Sequence, residues 1–141
     1  MPTWSFVLPA GTLSREEKDA IAPKITQIYT DGGLPAFYVH IFFDEYPVGS
    51  YYNSGRTPAK SALLTISHVA RHFASEKESL AFHEMVDPIL RPLFEPKGIT
   101  WEYNVLLPSQ DNWRIDGTVP PTTDNPTVLR QWAERNAAVP A

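Results

Sequence analysis

The alternation of hydrophobic and polar residues along the chain predicts four β-strands and two long α-helices. Segments rich in aromatic and branched residues are typical of strands, and they occupy residues 2–8, 37–43, 63–69 and 100–107. Segments 15–29 and 76–90 instead carry apolar residues three and four positions apart, which is the spacing of one buried helix face. The order strand, helix, strand therefore occurs twice, and the pattern predicts two β-α-β units.

Local signals support the predicted helix bounds. Ser14 and Glu17 have the spacing of a capping box at the start of the first helix, and residues 31–33 provide a glycine stop at its end. Pro23 falls inside this helix, where it is expected to bend the axis or to remove one backbone hydrogen bond. Two later prolines are expected to end the second helix near Leu90.

Two parallel β-α-β units with right-handed crossovers predict a fold of the α/β (α+β) class. The expected architecture is a four-stranded sheet with both helices on one face, and segment 37–43 is expected to be a central strand. The other face of the sheet would then be uncovered. Aromatic residues on alternating faces are expected to make that face apolar, which predicts an oligomer. These residues are Trp4, Phe6, Tyr38, Phe42, Trp101 and Tyr103.

The chain changes character after the fourth predicted strand. Residues 108–126 are rich in Pro, Thr, Asn and Asp, and a short strand is expected where Trp113 and Ile115 alternate with charged residues. Residues 127–137 are expected to form a last helix, capped by Asn125, that packs on its own body or on a neighbouring subunit. The length predicts a single domain, 1–141, composed of a first unit with its loop (1–60), a second unit (61–107) and a C-terminal extension (108–141).

Composition removes several classes of function. A net charge of −4 with intermixed signs argues against a nucleic-acid groove and against a polybasic membrane patch. The chain has no cysteine, which excludes disulfides, thiol nucleophiles and thiolate metal ligands. No apolar run approaches the ~18 residues of a membrane span, and the start of the chain lacks the pattern of a secretory signal. We therefore expect a cytoplasmic protein without nucleic-acid or membrane partners.

The start of the chain offers the first candidate for chemistry. If Met1 is removed, Pro2 becomes a free secondary amine that could act as a base, an acid or a nucleophile. Arg71 follows a strand, where ligands of open α/β sheets often bind. Its guanidinium could hold a carboxylate through two hydrogen bonds, or it could be an ordinary surface side chain. Tyr103 could orient a water or stabilise an oxyanion, or it could be a core residue whose hydroxyl reaches the surface.

Other polar residues leave alternatives open. Arg114 is either a second carboxylate clamp or a solvated side chain, and His72, next to Arg71, is a candidate substrate-binding residue. His40 lies in an apolar segment and is expected to be an interior residue. The four histidines lack the spacing of a metal motif, and no glycine-rich phosphate loop or nucleophile elbow occurs. We therefore expect neither a metal nor a cofactor.

Several short segments together resemble the tautomerase superfamily, and within it the cis-3-chloroacrylic acid dehalogenase group and its fungal relatives. The resemblance spans nearly the whole chain. Its segments are Met1-Pro2 with Trp4, residues 25–30 (ITQIYT), 33–39 (GLPAFYV), 68–72 (HVARH), 101–103 (WEY), 113–117 (WRIDG) and 119–121 (VPP). The resemblance implies a tautomerase/MIF-like fold, a homotrimer with its pocket near subunit interfaces, and cofactor-free chemistry on small unsaturated or keto acids.

The resemblance also implies roles for individual residues. Pro2 matches the catalytic proline, Arg71 matches an arginine that binds the substrate carboxylate, and Tyr103 matches a tyrosine that helps to activate water.

Three departures distinguish the chain from the dehalogenases. Tyr29 stands where they have a histidine on the first helix, and Ala74 stands at their second arginine. No acid is present at residues 114–115, where they have a water-activating glutamate, so hydrolytic dehalogenation is disfavoured. Arg114 is then a candidate replacement for the missing arginine.

The resulting hypothesis is a tautomerase (isomerase) of a small 2-keto or enol carboxylic acid. Pro2 would act as general base or acid, Arg71 with Arg114 would hold the carboxylate, and Tyr103 or Tyr29 would stabilise the enolate oxygen. The alternatives are a hydratase, decarboxylase or dehalogenase of a small unsaturated acid, and a non-catalytic trimeric binding protein if Met1 is retained.

Overall fold

A computed structural model describes residues 1–57 and 60–139 of the chain. The strands in these ranges are β1 (Pro2–Pro9), β2 (His40–Tyr46), β3 (Ser61–His68) and β4 (Thr100–Leu106). The α-helices are α1 (Arg15–Thr30), α2 (Glu76–Phe94) and α3 (Pro126–Arg135). Residues 58–59 of the predicted first loop and residues 140–141 of the predicted extension lie outside the described residues. None of these helices is long and apolar enough to cross a membrane.

Helix α1 begins and packs as its sequence predicts. The Ser14 hydroxyl accepts the Glu17 N–H and the Glu17 carboxylate accepts the Ser14 N–H, so the capping box is confirmed. Ile21, Ile25 and Tyr29 follow one another at four-residue spacing and are buried. The buried stripe of α1 therefore ends in a phenol rather than in a hydrocarbon side chain.

The helices continue through their internal prolines. Pro23 lies within α1, and both Pro88 and Pro92 lie within α2, which ends at Phe94. The prediction that this helix ends near Leu90 is therefore wrong. An internal proline costs roughly 3 kcal/mol, but Leu90 and Phe94 are both fully buried, and burial of each stabilises by about 1.5–3 kcal/mol. Burial of the apolar stripe therefore offsets the backbone hydrogen bonds that the prolines remove, and the helix continues.

The sheet has the strand order β2-β1-β3-β4. β1 pairs with β2 and β3 pairs with β4 in parallel, while β1 and β3 pair antiparallel at the centre. The two predicted β-α-β units are thereby confirmed. The predicted strand 37–43 is corrected in two respects, because β2 begins at His40 and lies at the edge of the sheet. Residues Ala36–Tyr38 form a 3₁₀ turn after Pro35, and this turn places Tyr38 in the core instead of the sheet.

The two faces of the sheet differ in polarity. The face under α1 and α2 is apolar and includes Trp4, Phe6, Leu64 and Ile66, all buried. Among the six aromatic residues expected on alternating faces, Phe42 is the one on the opposite face, where it is 52% exposed. The expectation of an apolar uncovered face is therefore wrong. Most of its central positions are polar, namely Thr3, Ser5, Thr65, Ser67 and Asn104.

The expected strand in the C-terminal extension is replaced by turns. Residues Gln110–Asn112 form a 3₁₀ turn, and Ile115 makes a single isolated bridge with Thr118. Between these two residues, Asp116 and Gly117 adopt φ values of 48° and 77°, in the left-handed region that reverses the chain. A strand cannot continue through that reversal.

The extension ends by packing on its own chain. Asn125 caps α3 as predicted, through a hydrogen bond from the Val128 N–H. The Tyr38 ring lies 4.9 Å from the Trp113 ring and 6.2 Å from the Trp132 ring, centroid to centroid. Of the two predicted packing partners, the extension's own body is therefore confirmed.

Candidate active site

Pro2 is the first residue of β1 and is buried on the face under the helices. In the antiparallel pair it is opposite His68, the last residue of β3. Opposed residues in such a pair have Cα atoms about 4.5–5.5 Å apart, so Pro2 and His68 are neighbours on one face. Met1 packs against the core beside them, and burial lowers the pKa of its amino group to about 4.

A buried chain of hydrogen bonds runs behind Pro2. The Trp4 indole N–H donates to the Tyr29 hydroxyl at 2.7 Å, and that hydroxyl lies 2.6 Å from Nε2 of His68. Trp4 and Tyr29 are 0% exposed and His68 is 1% exposed. An indole nitrogen can only donate, so the phenol accepts from Trp4, and we assign its own proton to Nε2, the acceptor that lies within hydrogen-bond distance of it among the described residues. The imidazole proton is thereby assigned to Nδ1, which has no hydrogen-bond partner among the described residues.

This chain of side chains is uncharged at neutral pH. Burial lowers the pKa of His68 to about 4, and the positive charge of Arg71 adds to that effect. Burial also raises the pKa of the Tyr29 phenol, although the Trp4 hydrogen bond and the Arg71 charge oppose the rise. Trp4, Tyr29 and His68 therefore act through oriented dipoles rather than through charge.

Arg71 lies just beyond β3 and extends over the end of α1. Its Nη2 donates to the Gly32 carbonyl at 3.2 Å. A Cβ atom on residue 32 would lie 1.5 Å from Nη2, so the guanidinium occupies space that only a glycine leaves open. Within the described part of the chain Arg71 forms no salt bridge. Its charge is therefore available to the carboxylate of a ligand.

A cavity of 210 Å³ is lined by Tyr29, His68 and Arg71, and Pro2 lies behind it, opposite His68. The Glu78 carboxylate also lines it, but this group accepts the Ala74 N–H at 2.9 Å and so belongs to the start of α2. Typical drug-binding pockets are about 300–1,000 Å³, so this one suits a small molecule. Its lining residues are Ile28, Tyr29, His68, Arg71, His72, Phe73, Glu78, Ala81, Phe82 and Met85.

Two predicted site residues lie elsewhere in the single chain. The Tyr103 hydroxyl is 2.7 Å from Nδ1 of His83, and Tyr103 pairs with Leu64 from the middle of the edge strand β4. Arg114 is exposed on the extension, where Nη1 donates to the carbonyls of Asp111 and Trp113. One chain therefore brings together Pro2, Tyr29, Arg71 and His72, but neither Tyr103 nor Arg114.

The histidines form no metal centre in the described ranges. No group of three or more His, Asp or Glu side chains is placed there to hold a metal ion. The expectation that His40 is an interior residue is wrong, because His40 lies on an edge strand and points to the uncovered face, where it is exposed.

Trp4 and His68 were missed as members of the site, although the sequence carries a signal for both. Alternate residues of β3 are buried from Ala62 through Leu64 and Ile66 to His68, and a titratable side chain at the end of such a stripe needs a polar partner. Trp4 holds the same kind of position on β1. The sequence did not show which helix residue would be the hydrogen-bond partner of these two side chains.

Comparison with known proteins identifies the family. The sequence profile of a family described as "Putative oxalocrotonate tautomerase enzyme" matches residues 1–137. The chain belongs to this tautomerase family. No curated protein matches the chain.

Solved structures agree with the tautomerase fold over the whole chain. A "probable enzyme" from the thermophilic fungus Aspergillus fumigatus is 39% identical, with a TM-score of 0.93 over 100% of this chain and 98% of that one. Native RhCC from Rhodococcus jostii RHA1 is 26% identical, with a TM-score of 0.92 over 99% of both chains. N1, described as a member of the cis-3-chloroacrylic acid dehalogenase family, shares the fold at 16% identity, with a TM-score of 0.67 over 95% of this chain and 97% of that one. The predicted superfamily and fold class are thereby confirmed.

Proposed function

We propose that this tautomerase-family protein converts the enol form of a small 2-oxo carboxylic acid to its keto form, with Pro2 as the general base. Removal of Met1 would free the Pro2 amine. The observation that carries the proposal is the position of Pro2, buried opposite His68, a residue that lines the same cavity as Arg71, which forms no salt bridge among the described residues.

The cavity supplies two recognition elements for such a substrate. The Arg71 guanidinium would bind the carboxylate, most strongly through two parallel hydrogen bonds. Ile28, Phe73 and Met85 would contact an apolar substituent on the substrate. His72 lies on the exposed rim next to Arg71 and would assist carboxylate binding.

The reaction needs one proton carrier and no cofactor. The neutral Pro2 nitrogen would take the proton of the enol hydroxyl, while the C–O bond becomes a carbonyl and the electrons of the C=C bond move to C3. C3 would then take the proton back from the Pro2 ammonium, which restores the free amine. An ordinary α-amine has a pKa of about 7.7–8.0, and burial together with the Arg71 charge would lower that of Pro2 toward a range useful for a base.

The proposal includes a homotrimer. One face of the sheet is uncovered in the single chain, and its polar positions could pair across an interface between copies. Tyr103 and Arg114 lie away from the cavity of their own chain. They would join the chemistry only if an interface brings them to a neighbouring cavity, where Tyr103 would stabilise the enolate oxygen.

The test compares Pro2→Ala with the parent on phenylenolpyruvate, after intact mass has shown that Met1 is absent. The substitution replaces the secondary amine by the less basic primary amine of alanine and removes the ring that fixes its position, and we expect kcat/KM to fall by about 10²-fold or more. Pro9→Ala is the matched control, because Pro9 lies at the other end of the same strand. Equal turnover by the Pro2→Ala variant and the parent would refute the role of Pro2. A parallel screen of unsaturated and acetylenic acids would separate tautomerisation from hydration, decarboxylation and dehalogenation.

A second candidate is a non-catalytic trimer that binds a small acid. The observation in its favour is that Met1 packs against the core, where the Pro2 nitrogen is an amide and is not basic. Intact mass of the protein from its native host decides between the two. A mass that includes Met1, together with carboxylate binding but no turnover, would establish the binding function.

A further inference from the structure

We infer that His68 keeps the Pro2 amine uncharged, by donating a hydrogen bond from Nδ1–H to the Pro2 nitrogen once Met1 has been removed. The inference rests on the proposed function, because it requires a free amine at Pro2. It assigns His68 as a positioning residue that tunes the base, rather than as a group that contacts the substrate.

The first step of the argument is the orientation of the imidazole. Trp4 donates to the Tyr29 hydroxyl at 2.7 Å, and Nε2 of His68, at 2.6 Å, is the acceptor within reach of the phenol proton among the described residues. We therefore assign Nε2 as the acceptor and place the imidazole proton on Nδ1. Two fully buried residues thereby orient the ring.

The second step is the state of Nδ1. This nitrogen is buried and has no partner among the described residues. The Phe82 and Phe73 rings lie 4.4 Å and 5.6 Å from the His68 ring, centroid to centroid, and offer no acceptor. A buried donor without a partner is rare in native proteins and destabilises the fold. The imidazole therefore carries an N–H donor at Nδ1 that has no acceptor among the described residues.

The third step is the change that processing makes at the opposite residue. While Met1 is attached, the Pro2 nitrogen is part of a peptide bond and accepts no hydrogen bond. Removal of Met1 gives it a lone pair at the position directly opposite His68 in the β1–β3 register. The chain's amino end already influences the His68 ring electrostatically. Processing would thus create the acceptor that Nδ1 lacks.

The protonation state of His68 and the charges around it decide whether the hydrogen bond raises or lowers the pKa of Pro2. Tyr29 on α1 is neutral, Arg71 and His72 follow β3, and the Glu78 carboxylate on α2 is held by the Ala74 N–H. Burial keeps His68 itself neutral, with a pKa of about 4. A hydrogen bond to the Pro2 lone pair favours the neutral amine, and so it lowers the pKa of Pro2. The amine has one lone pair, so it gives up the His68 hydrogen bond when it takes the proton of the enol hydroxyl.

The test uses two substitutions that each preserve one half of the imidazole. In His68→Gln the amide can still accept the Tyr29 proton near the Nε2 position, but nothing donates from the Nδ1 position. In His68→Asn the amide N–H stands near the Nδ1 position and the contact with Tyr29 is lost. The pKa of the Pro2 nitrogen is read by ¹⁵N NMR on proline-labelled protein without substrate, after intact mass has confirmed that Met1 is absent.

We expect His68→Gln to raise the pKa of Pro2 by about one unit, a tenfold increase in the affinity of the amine for a proton. His68→Asn should stay near the parent value. The acid limb of the kcat/KM profile should move with the NMR value. In the parent, histidine ¹⁵N spectra should show protonated Nδ1 and unprotonated Nε2 between pH 5 and 8.

Three results would overturn the inference: an unchanged Pro2 pKa in His68→Gln, an equal rise in both variants, or an Nε2–H tautomer in the parent. Retention of Met1 in the native host would overturn it as well. Because the NMR titration needs no substrate, it separates this inference from the proposed function. A protein that titrates as expected but turns over no enol acid would retain the His68–Pro2 bond and lose the tautomerase assignment.

Discussion

Replacement of Tyr29 by Phe tests whether the buried hydrogen-bond chain stabilises this protein. The ring volume is almost unchanged, and the substitution removes one hydroxyl that serves two partners. The Trp4 N–H and Nε2 of His68 are both left in an environment that is 0–1% exposed. Each orphaned buried group costs about 1–3 kcal/mol, so we expect the free energy of unfolding to fall by about 2–6 kcal/mol.

The assay is urea denaturation at one fixed protein concentration, because any oligomer makes apparent stability depend on concentration. Tyr38→Phe is the matched control: Tyr38 is also 0% exposed, but its hydroxyl serves one acceptor, the Pro121 carbonyl at 3.1 Å. That variant orphans one buried group instead of two, so we expect it to lose about half as much, about 1–3 kcal/mol. If Trp4 is first replaced by Phe, the cost of Tyr29→Phe should fall, since one orphan no longer exists. Equal losses in Tyr29→Phe and Tyr38→Phe would refute the reasoning.

Two further predictions concern Arg71 and His68. Gly32→Ala should displace the Arg71 guanidinium, because the new Cβ would lie 1.5 Å from Nη2. We expect KM for a carboxylate substrate to rise about tenfold or more, with little loss of stability. An unchanged KM would show that Arg71 does not bind the carboxylate from this position. Stability should fall as pH drops from about 6.5 to about 4, because the unfolded His68 binds a proton in that range and the folded one does not. The loss is about 2–4 kcal/mol, and His68→Gln should flatten this slope in urea titrations of proteins with the same amino terminus.

The sequence predicted the fold correctly where a local pattern is compatible with one structure, as at the starts of helices. The capping box at Ser14 and the cap at Asn125 each satisfy backbone donors that nothing else can reach, so they are visible in sequence. The end of α2 was not predictable in this way, because burial of Phe94 competes with Pro92 and only the packed structure shows which is larger. Tyr38 was likewise not predictable, because only the packed structure shows that the 3₁₀ turn after Pro35 places its ring in the core instead of in β2.

The residues of the candidate site also differ in whether the sequence alone could predict them. Pro2 could be proposed from the sequence because removal of Met1 would make it a free secondary amine, and Arg71 because it follows a strand, where ligands of open α/β sheets often bind. The hydrogen bond between Tyr29 and His68 joins residues 39 positions apart, and no local pattern specifies it. Once the antiparallel pair of β1 and β3 and the position of α1 above it are known, Tyr29 and His68 are each other's polar neighbours at the ends of two buried stripes.

The substitutions that separate this chain from the dehalogenase pattern have a common electrostatic consequence. Tyr29 is a neutral side chain where a histidine is expected, and Ala74 is exposed and uncharged where a second arginine is expected. The cavity of a single chain therefore has Arg71 as its permanent cation, and one fixed charge lowers the pKa of a neighbouring amine less than two would. Burial and a hydrogen-bond donor must then supply the rest of the shift that a proline base requires. In the proposed mechanism, the donor would be His68, the fully buried residue opposite Pro2, whose ring contacts Tyr29. Such an arrangement would favour proton transfer between oxygen and carbon over the activation of water, because the base would be uncharged and Glu78, the carboxylate that lines the cavity among the described residues, is held by the Ala74 N–H.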